Sequence, residues 1–302
     1  MTQDLVFNRE LEFDYATAET VSPLIRRVIA RNPGPFTFHG TGTYIIGHGK
    51  VAIVDPGPDI AEHVDALLHA LRGEDISHIL VTHTHRDHSP AAAAVAAATG
   101  APTYGFGPHA AGRSDVKIEE GGDTDFRPVH TTGDGDVIAG AGWTVEAVHT
   151  PGHLSNHLCF ALREEAALFS GDHVMGWSTS IVSPPDGDMA DYMASLEKLL
   201  PREEHRYYPT HGAPIDDPRH HVAGLIRHRK GREAQILARL KEGPQTIMDM
   251  VRVNYRDTPA ILHPAAARSM LAHLIDMTER GLVLAERPES GRASETATYR
   301  LP

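Results

Sequence analysis

Cysteine, long apolar runs and basic residues are all scarce in this sequence. Its single cysteine, Cys159, cannot form an intramolecular disulfide, which excludes a disulfide-stapled scaffold. No apolar run approaches the roughly 18 to 20 residues that a membrane span requires. The N-terminal residues carry acids early and lack the basic-then-apolar pattern of a secretion signal. These absences predict a cytoplasmic chain, in a reducing compartment, with no membrane partner.

Basic side chains are outnumbered, with 28 Lys and Arg against 40 Asp and Glu and a formal net charge of −12. This balance argues against a protein coated in nucleic acid. The deficit is uneven, because residues 1–214 carry a net −15 and residues 215–302 a net +3. We therefore predict two domains with different roles, a catalytic domain at 1–214 and a C-terminal domain at 215–302.

Residues 1–214 contain short apolar runs bounded by glycine or proline, a pattern typical of strands and loops. Ser89 and Pro90 open an alanine-rich run that ends at Gly100, which predicts a helix capped by Ser89. Asp188 is expected to cap another helix. Mixed strands and helices indicate an α/β (α+β) class in which helices cover the sheets. The predicted strands are 43–46, 51–54, 78–81, 143–148, 157–162 and 166–169.

The character of the sequence changes near residue 215. Asp217 and Pro218 form a helix start, and the basic helix that follows is expected to stop before Gly243. Thr246 is expected to cap a second, short helix. The pattern of a winged helix-turn-helix is completed by a third helix at 264–280 and a hairpin of strands 282–286 and 296–301 around a turn at 288–294.

The strongest functional signal is the run ISHILVTHTHRDHSP, in which an apolar strand ends at Val81 and four candidate ligands follow. In an extended chain, residues two apart point the same way, so His83 and His85 can hold one ion together. Asp87 and His88 lie where the chain turns into the next helix and can serve a second ion. Imidazole and carboxylate groups suit zinc, iron or manganese. The run therefore predicts a metal site.

The order His-x-His-x-Asp-His after a strand resembles the metallo-β-lactamase superfamily, whose fold is an αββα sandwich with metals at the sheet edges. The resemblance implies three further residues: a histidine in a Pro-Gly-His loop, an aspartate after a strand, and a last histidine after another strand. The sequence supplies them in that order, as His153, Asp172 and His211. The resemblance therefore covers about residues 35–214.

The resemblance also implies a role for each residue. A hydroxide shared by two divalent ions, zinc first with iron or manganese as alternatives, would attack the substrate. Asp172 would bridge the ions, and Asp87 would orient the nucleophile or take its proton. Asp55 resembles the family's acid that fixes the ligand histidines from behind, and the helix-poor segment 177–186 is expected to shape the pocket. The resemblance assigns His83, His85 and His153 to the first ion, and Asp87, His88 and His211 to the second.

We favour a hydrolase that acts on a small ester, thioester or lactone. The C-terminal winged helix resembles that of a lactamase-like group with an endoribonuclease among its members, so a metal-dependent endoribonuclease acting on single-stranded RNA is the alternative. The basic stretch at 227–232 favours RNA, whereas the net charge of −15 on the catalytic domain opposes it. A DNA-binding regulator is a third hypothesis, for which the helix at 264–280 offers two arginines, Arg268 and Arg280. The winged helix could equally serve as a packing or homodimerisation module.

Overall fold

The computed structural model describes residues 5–109, 121–256, 258–286 and 293–302. Its first sheet has seven strands in chain order, antiparallel from β1 to β4 and parallel from β4 to β7. The strands are β1 (Glu19–Thr20), β2 (Ile25–Ile29), β3 (Gly42–Ile46), β4 (Lys50–Val54), β5 (Asp75–Leu80), β6 (Thr103–Gly105) and β7 (His130–Thr131).

The second sheet has five strands in the order β12-β11-β10-β9-β8, with β11 and β12 parallel and the other pairs antiparallel. They are β8 (Val137–Gly140), β9 (Trp143–His149), β10 (Leu158–Leu162), β11 (Ala167–Gly171) and β12 (Arg206–Pro209). Four helices accompany the two sheets: α1 (Ala61–Ala70), α2 (Ala91–Thr99), α3 (Met189–Leu199) and α4 (Pro218–Leu240).

Three apolar clusters hold these elements in four layers. In β3, Tyr44 and Ile46 face the second sheet, whereas Ile45 faces α1 and α2, as the two-residue period of a strand requires. Trp143 and Phe160 meet Tyr44 and Ile46 from the second sheet. The outer face of the second sheet packs against α3 and the first half of α4. These layers confirm the predicted αββα sandwich.

The C-terminal part forms a fourth cluster. Helices α5 (Ile247–Asn254) and α6 (His263–Glu279) pack with the end of α4 and with a small sheet of β13 (Gln245–Thr246), β14 (Leu284–Glu286) and β15 (Thr298–Arg300). This arrangement confirms the predicted winged helix, although most of the predicted turn at 288–294 lies outside the described residues. Helix α4 contributes to both the sandwich and the C-terminal cluster. The boundary between residues 214 and 215 stays a prediction.

The predicted helix caps fare differently. Asp188, Asp217 and Thr246 cap α3, α4 and α5 as expected, each accepting a backbone N–H. The prediction for Ser89 is wrong: α2 begins after Pro90 without a side-chain cap. The N–H groups of Ala91 and Ala92 donate to the backbone carbonyls of Gly57 and Ser89, and the Ser89 hydroxyl donates to Asp123 Oδ2 at 2.6 Å. Among the described residues, no helix combines the length and apolar character needed to cross a bilayer.

Candidate metal centre

The loops that follow β5, β9, β11 and β12 bring the predicted ligands together. After β5, His83 and His85 face each other, with Nε2 of His83 lying 2.9 Å from Nδ1 of His85. His153, in the loop between β9 and β10, places its Nε2 at 3.0 Å from the same Nδ1. The three side chains are buried, and their possible ligand atoms lie within 4.8 Å of one another.

A second group lies beside the first. Oδ2 of Asp87 is 3.3 Å from Nε2 of His88 and 3.2 Å from Nε2 of His211, which follows β12. Asp87 is the most accessible of the three, with 16% of its side chain exposed, and it accepts a hydrogen bond from Oγ1 of Thr41 at 3.0 Å. It is therefore the acid of this group that solvent can reach.

Asp172 lies between the two groups. Its Oδ2 is 3.9 Å from Nε2 of His153 in the first group, and 3.6 and 3.4 Å from Nε2 of His88 and His211 in the second. Asp172 also forms a third possible ligand set with His83 and His88. All seven residues implied by the sequence thus converge at one site.

Asp55 holds the second group from behind. It is buried at a left-handed backbone position, φ 49°, immediately after β4. Its carboxylate accepts the backbone N–H and the hydroxyl of Thr82, both at 2.7 Å, and the hydroxyl of Thr210 at 3.1 Å. Nδ1 of His88 lies 2.9 Å from Oδ2 of Asp55, which leaves Nε2 of His88 facing the centre.

Backbone carbonyls orient two more of the histidines in the same way. Nδ1 of His153 donates to the carbonyl of Ile181 at 2.6 Å, and Nδ1 of His211 donates to the carbonyl of Gly40 at 3.1 Å. In both rings the Nε2 atom is therefore the one left for a ligand. The centre is built on fixed tautomers rather than on freely rotating rings.

The pKa shifts of the ionisable groups differ between the two ligand groups. Burial and the neighbouring imidazoles lower the pKa of His83 and His85 well below the usual value. Burial opposes the charged form of His211, but Asp172 and Asp87 outweigh it and raise its pKa to about 10. Burial also raises the pKa of Asp87 and Asp172, but the charges of His88 and His211 outweigh it and hold both well below the usual value.

The donor atoms fit divalent cations. Nε2 of His88 and Oδ1 of Asp172 are buried and lack a hydrogen-bond partner within the described parts of the chain. Buried polar atoms of this kind are costly unless a ligand satisfies them. Five imidazoles and two carboxylates form a donor set that suits zinc, iron or manganese.

Two residues that support Asp172 were not predicted. His157 is fully buried, and its Nε2 accepts the backbone N–H of Asp172 at 3.2 Å. The hydroxyl of Ser180 donates to the carbonyl of Asp172 at 2.5 Å, while Arg229 of α4 donates to the carbonyl of Ser180. The sequence predicts His157 only as part of a strand and Ser180 only as part of segment 177–186. No local motif marks either residue as a partner of Asp172.

A cavity of about 390 Å³ opens beside His153 and Asp172. Residues 177–181 form one side of it. The prediction that segment 177–186 shapes the pocket is therefore confirmed for the first half of that segment. Helices α4 and α6 form the opposite side. The volume suits a small ligand. The cavity thus lies between the sandwich and the C-terminal helices.

Comparison with known protein families matches two segments of the chain. A model described as the metallo-β-lactamase superfamily matches residues 37–211, more than half of the chain. A model described as a β-lactamase-associated winged-helix domain matches residues 246–291. The first segment contains all seven clustered residues, and the second contains α5 and α6.

Individual proteins extend the likeness to most of the chain. A β-lactamase-like protein 2 homologue from Caenorhabditis elegans is 34% identical over 274 residues, covering 88% of each chain. An atrochrysone carboxyl ACP thioesterase from Claviceps purpurea is 34% identical over 251 residues, covering 80% of this chain and 74% of the relative. A crystal structure of a β-lactamase domain protein from Burkholderia ambifaria has a TM-score of 0.80 at 20% identity, over 95% of this chain and 94% of that one. This last likeness concerns the fold alone.

Proposed function

The chain belongs to the metallo-β-lactamase superfamily, and from that premise we propose that it is a dinuclear hydrolase of small acyl substrates. Thioesters come first among these substrates, because one relative is named a thioesterase, and esters and lactones follow. The observation that carries the proposal is the position of Asp172, whose Oδ2 lies within 4 Å of histidines from both ligand groups.

The two groups of residues in the structure correspond to the ligands that we propose for two cations. His83, His85 and His153 would hold one cation, Asp87, His88 and His211 the other, and Asp172 would touch both. Zinc is our first assignment, with iron and manganese as alternatives. When bound, two such cations lower the pKa of a shared water towards neutrality and polarise the acyl carbonyl.

The protein's own groups complete the reaction. The partly exposed Asp87, held by a hydrogen bond from Thr41, would orient the attacking water. Asp55 and the carbonyls of Ile181 and Gly40 hold the histidine rings in place throughout. The apolar side of the cavity would exclude bulk water from the acyl group.

The RNA alternative has weaker support. Within the basic stretch 227–232, Arg229 is buried and bonded to Ser180, and Lys230 lies 3.7 Å from a carboxylate oxygen of Glu197. The stretch therefore offers no continuous row of free cations for a phosphate backbone. On the third helix, Arg280 is paired with Glu233 and Asp276, which further weakens the DNA-binding hypothesis.

Metal analysis combined with a substrate panel tests the proposal. The purified protein loaded with zinc should contain about two metals per chain. It should hydrolyse acyl thioesters of N-acetylcysteamine, and hydrolyse simple esters and lactones more slowly. Release of thiol measures the rate. If metal-replete protein hydrolyses none of these substrates but cleaves single-stranded RNA, with a steep dependence on salt, the proposal fails in favour of the nuclease.

Loading the metal-free protein with zinc at pH 7 should release protons. The pKa of His88 is raised well above its usual value, and that of His211 to about 10, so both rings are protonated at pH 7. A cation requires neutral imidazole, so we expect about two protons per chain from these rings. Calorimetry in buffers of different ionisation enthalpy measures the number. His211→Gln should release about one fewer, and zinc uptake without proton release would contradict the assignment.

A further inference from the structure

Besides Arg229, the cavity beside the metal centre is lined by three basic side chains that the proposed reaction does not use: Arg9, His228 and Arg232. The only acidic residue among its described lining residues is Asp172, which belongs to the centre itself. A cavity with an excess of cationic groups favours an anionic occupant. Apart from Asp172, the charged side chains that line the cavity are therefore basic.

Two of these residues lie on one face of α4. His228 and Arg232 are four residues apart, so their side chains are neighbours along the helix. The guanidinium of Arg232 lies over the ring of Tyr255, 4.3 Å from its centroid, and donates to the amide oxygen of Gln235 at 3.0 Å. Within the described ranges, no carboxylate pairs with Arg232. Its positive charge is therefore held in place without being neutralised.

His228 adds a polar atom to this face. Its Nδ1 is buried and has no hydrogen-bond partner in the part of the chain that the structure describes. Burial, with Arg229 and Arg232 close by, lowers the pKa of His228 to about 4, so the ring is neutral. A buried imidazole nitrogen without a partner is costly unless a ligand bonds to it.

Arg9 belongs to the N-terminal segment, a different element of the fold from α4. The backbone N–H of the preceding residue, Asn8, donates to the carbonyl of Gly176 at 2.9 Å, which fixes the N-terminal segment beside the loop at 177–181. Arg9 is exposed, and no described carboxylate lies within ion-pair distance of it. Two arginines thus face the cavity from different elements of the fold.

Arg229 differs from its neighbours. It is buried, it donates to the carbonyl of Ser180 and to the hydroxyl of Ser269 at 3.4 Å, and its guanidinium lies 5.1 Å from the ring centroid of Tyr192. Its role is to hold the loop behind Asp172. We therefore leave it out of the ligand-binding set.

The cavity lining also includes apolar and aromatic side chains. Phe36 and Trp177 line it from the sandwich, and Leu262 and Ala266 from the C-terminal part. Trp177 is stacked on Phe38, with ring centroids 4.6 Å apart, which holds the indole in one orientation. Serine and threonine side chains lie among them. An occupant of the cavity would therefore contact apolar surface as well as hydroxyl groups.

We propose that Arg9, His228 and Arg232 bind an anionic group of the substrate, a carboxylate or a phosphate, while its acyl carbonyl lies at Asp172. The substrate class is then an anionic acyl thioester or ester that also carries an apolar portion. The inference rests on the proposed function of the metal centre. It adds the residues that select among acyl substrates.

Matched substrate pairs test the selection. The N-acetylcysteamine monothioester of glutaric acid is compared with its neutral pentanoyl counterpart, and pentanoyl-4′-phosphopantetheine with pentanoyl-pantetheine. In zinc-loaded protein, Arg232→Gln should lower kcat/KM for the charged member of one pair roughly tenfold to a hundredfold, and leave the neutral member nearly unchanged. Arg9→Gln should act in the same direction. The pair that responds identifies the anion as carboxylate or phosphate.

Arg227→Gln is the matched control. Arg227 is exposed on the same helix and is not part of the cavity lining, so the variant makes the same change in net charge. It should leave both pairs unaffected. If Arg232→Gln lowers kcat/KM equally for charged and neutral members of both pairs, the subsite does not exist.

A binding measurement separates the subsite from the reaction. Glutarate, inorganic phosphate and 4′-phosphopantetheine are titrated calorimetrically into the zinc-loaded protein and its variants. At least one should lose about tenfold or more in affinity in Arg232→Gln but not in Arg227→Gln. That result would support the subsite even if no ester were hydrolysed, a failure that would count against the proposed function alone. Tighter binding of single-stranded RNA than of every small anion, weakened equally in both variants, would overturn the proposal.

Discussion

Replacing Asp172 with alanine is expected to abolish hydrolysis and to remove one of the two proposed metals. The carboxylate approaches histidines of both ligand groups, so its loss weakens both sites while leaving each of them three other ligands. We expect kcat/KM to fall roughly a thousandfold or more, because the residue acts on the reacting centre itself. Metal analysis after gel filtration and thioester hydrolysis measure the two effects.

Two further variants make the Asp172 result interpretable. Asp172→Asn keeps the shape of the side chain and removes its charge, so it should fold normally and still lose most of the activity. Asp59→Ala makes the same chemical change as Asp172→Ala at an exposed position after β4 and should behave like the wild type. Full metal content together with unchanged turnover in Asp172→Ala would refute the dinuclear mechanism.

Replacing Asp55 with alanine should damage stability and the metal centre together. Its carboxylate accepts the N–H and hydroxyl of Thr82 and the hydroxyl of Thr210, and it lies within hydrogen-bond distance of Nδ1 of His88. All of these groups are buried, so alanine would leave them without their partner. We expect the free energy of unfolding to fall by about 3 kcal/mol or more. Urea denaturation of the metal-free protein measures the change.

The effect of Asp55 on the metal centre comes through His88, whose orientation the carboxylate fixes. Metal affinity of the second site should fall about tenfold to a hundredfold in Asp55→Ala. Thr210→Val removes one of the donors and should cost only about 1 kcal/mol, which separates a single hydrogen bond from the whole network. An Asp55→Ala protein as stable as the wild type, with both metals in place, would show that Asp55 is an ordinary turn residue.

The ligand cluster could be predicted from the sequence in two steps, because a local motif after an apolar strand contains four candidate ligands and the resemblance to the superfamily implies the other three. His83, His85, Asp87 and His88 lie within one hexapeptide, and the other three follow recognisable strand or loop signatures. The hexapeptide follows β5 of the first sheet, whereas the other three ligands follow strands of the second sheet. Their convergence therefore depends on the packing of the two sheets, which no local pattern encodes.

Other features depend on contacts that no local pattern encodes. The predicted Ser89 cap is absent because the N–H groups at the start of α2 are donated to backbone carbonyls, one of them that of the distant Gly57. Strand β13 has two half-buried polar or hydroxyl residues, so it offers no apolar alternation to detect. Likewise, His157 and Ser180 gain their importance only through where Asp172 lies.

Helix α4 connects the sandwich and the C-terminal cluster, so both contribute to the proposed active site. Its first half is packed into the sandwich, its end is packed into the C-terminal cluster, and Arg229 between them holds the loop that supports Asp172. Deleting the C-terminal helices would therefore not yield a smaller version of the same catalyst. Conversely, relatives could diverge in substrate preference by exchanging residues along one helix while every proposed metal ligand stayed unchanged.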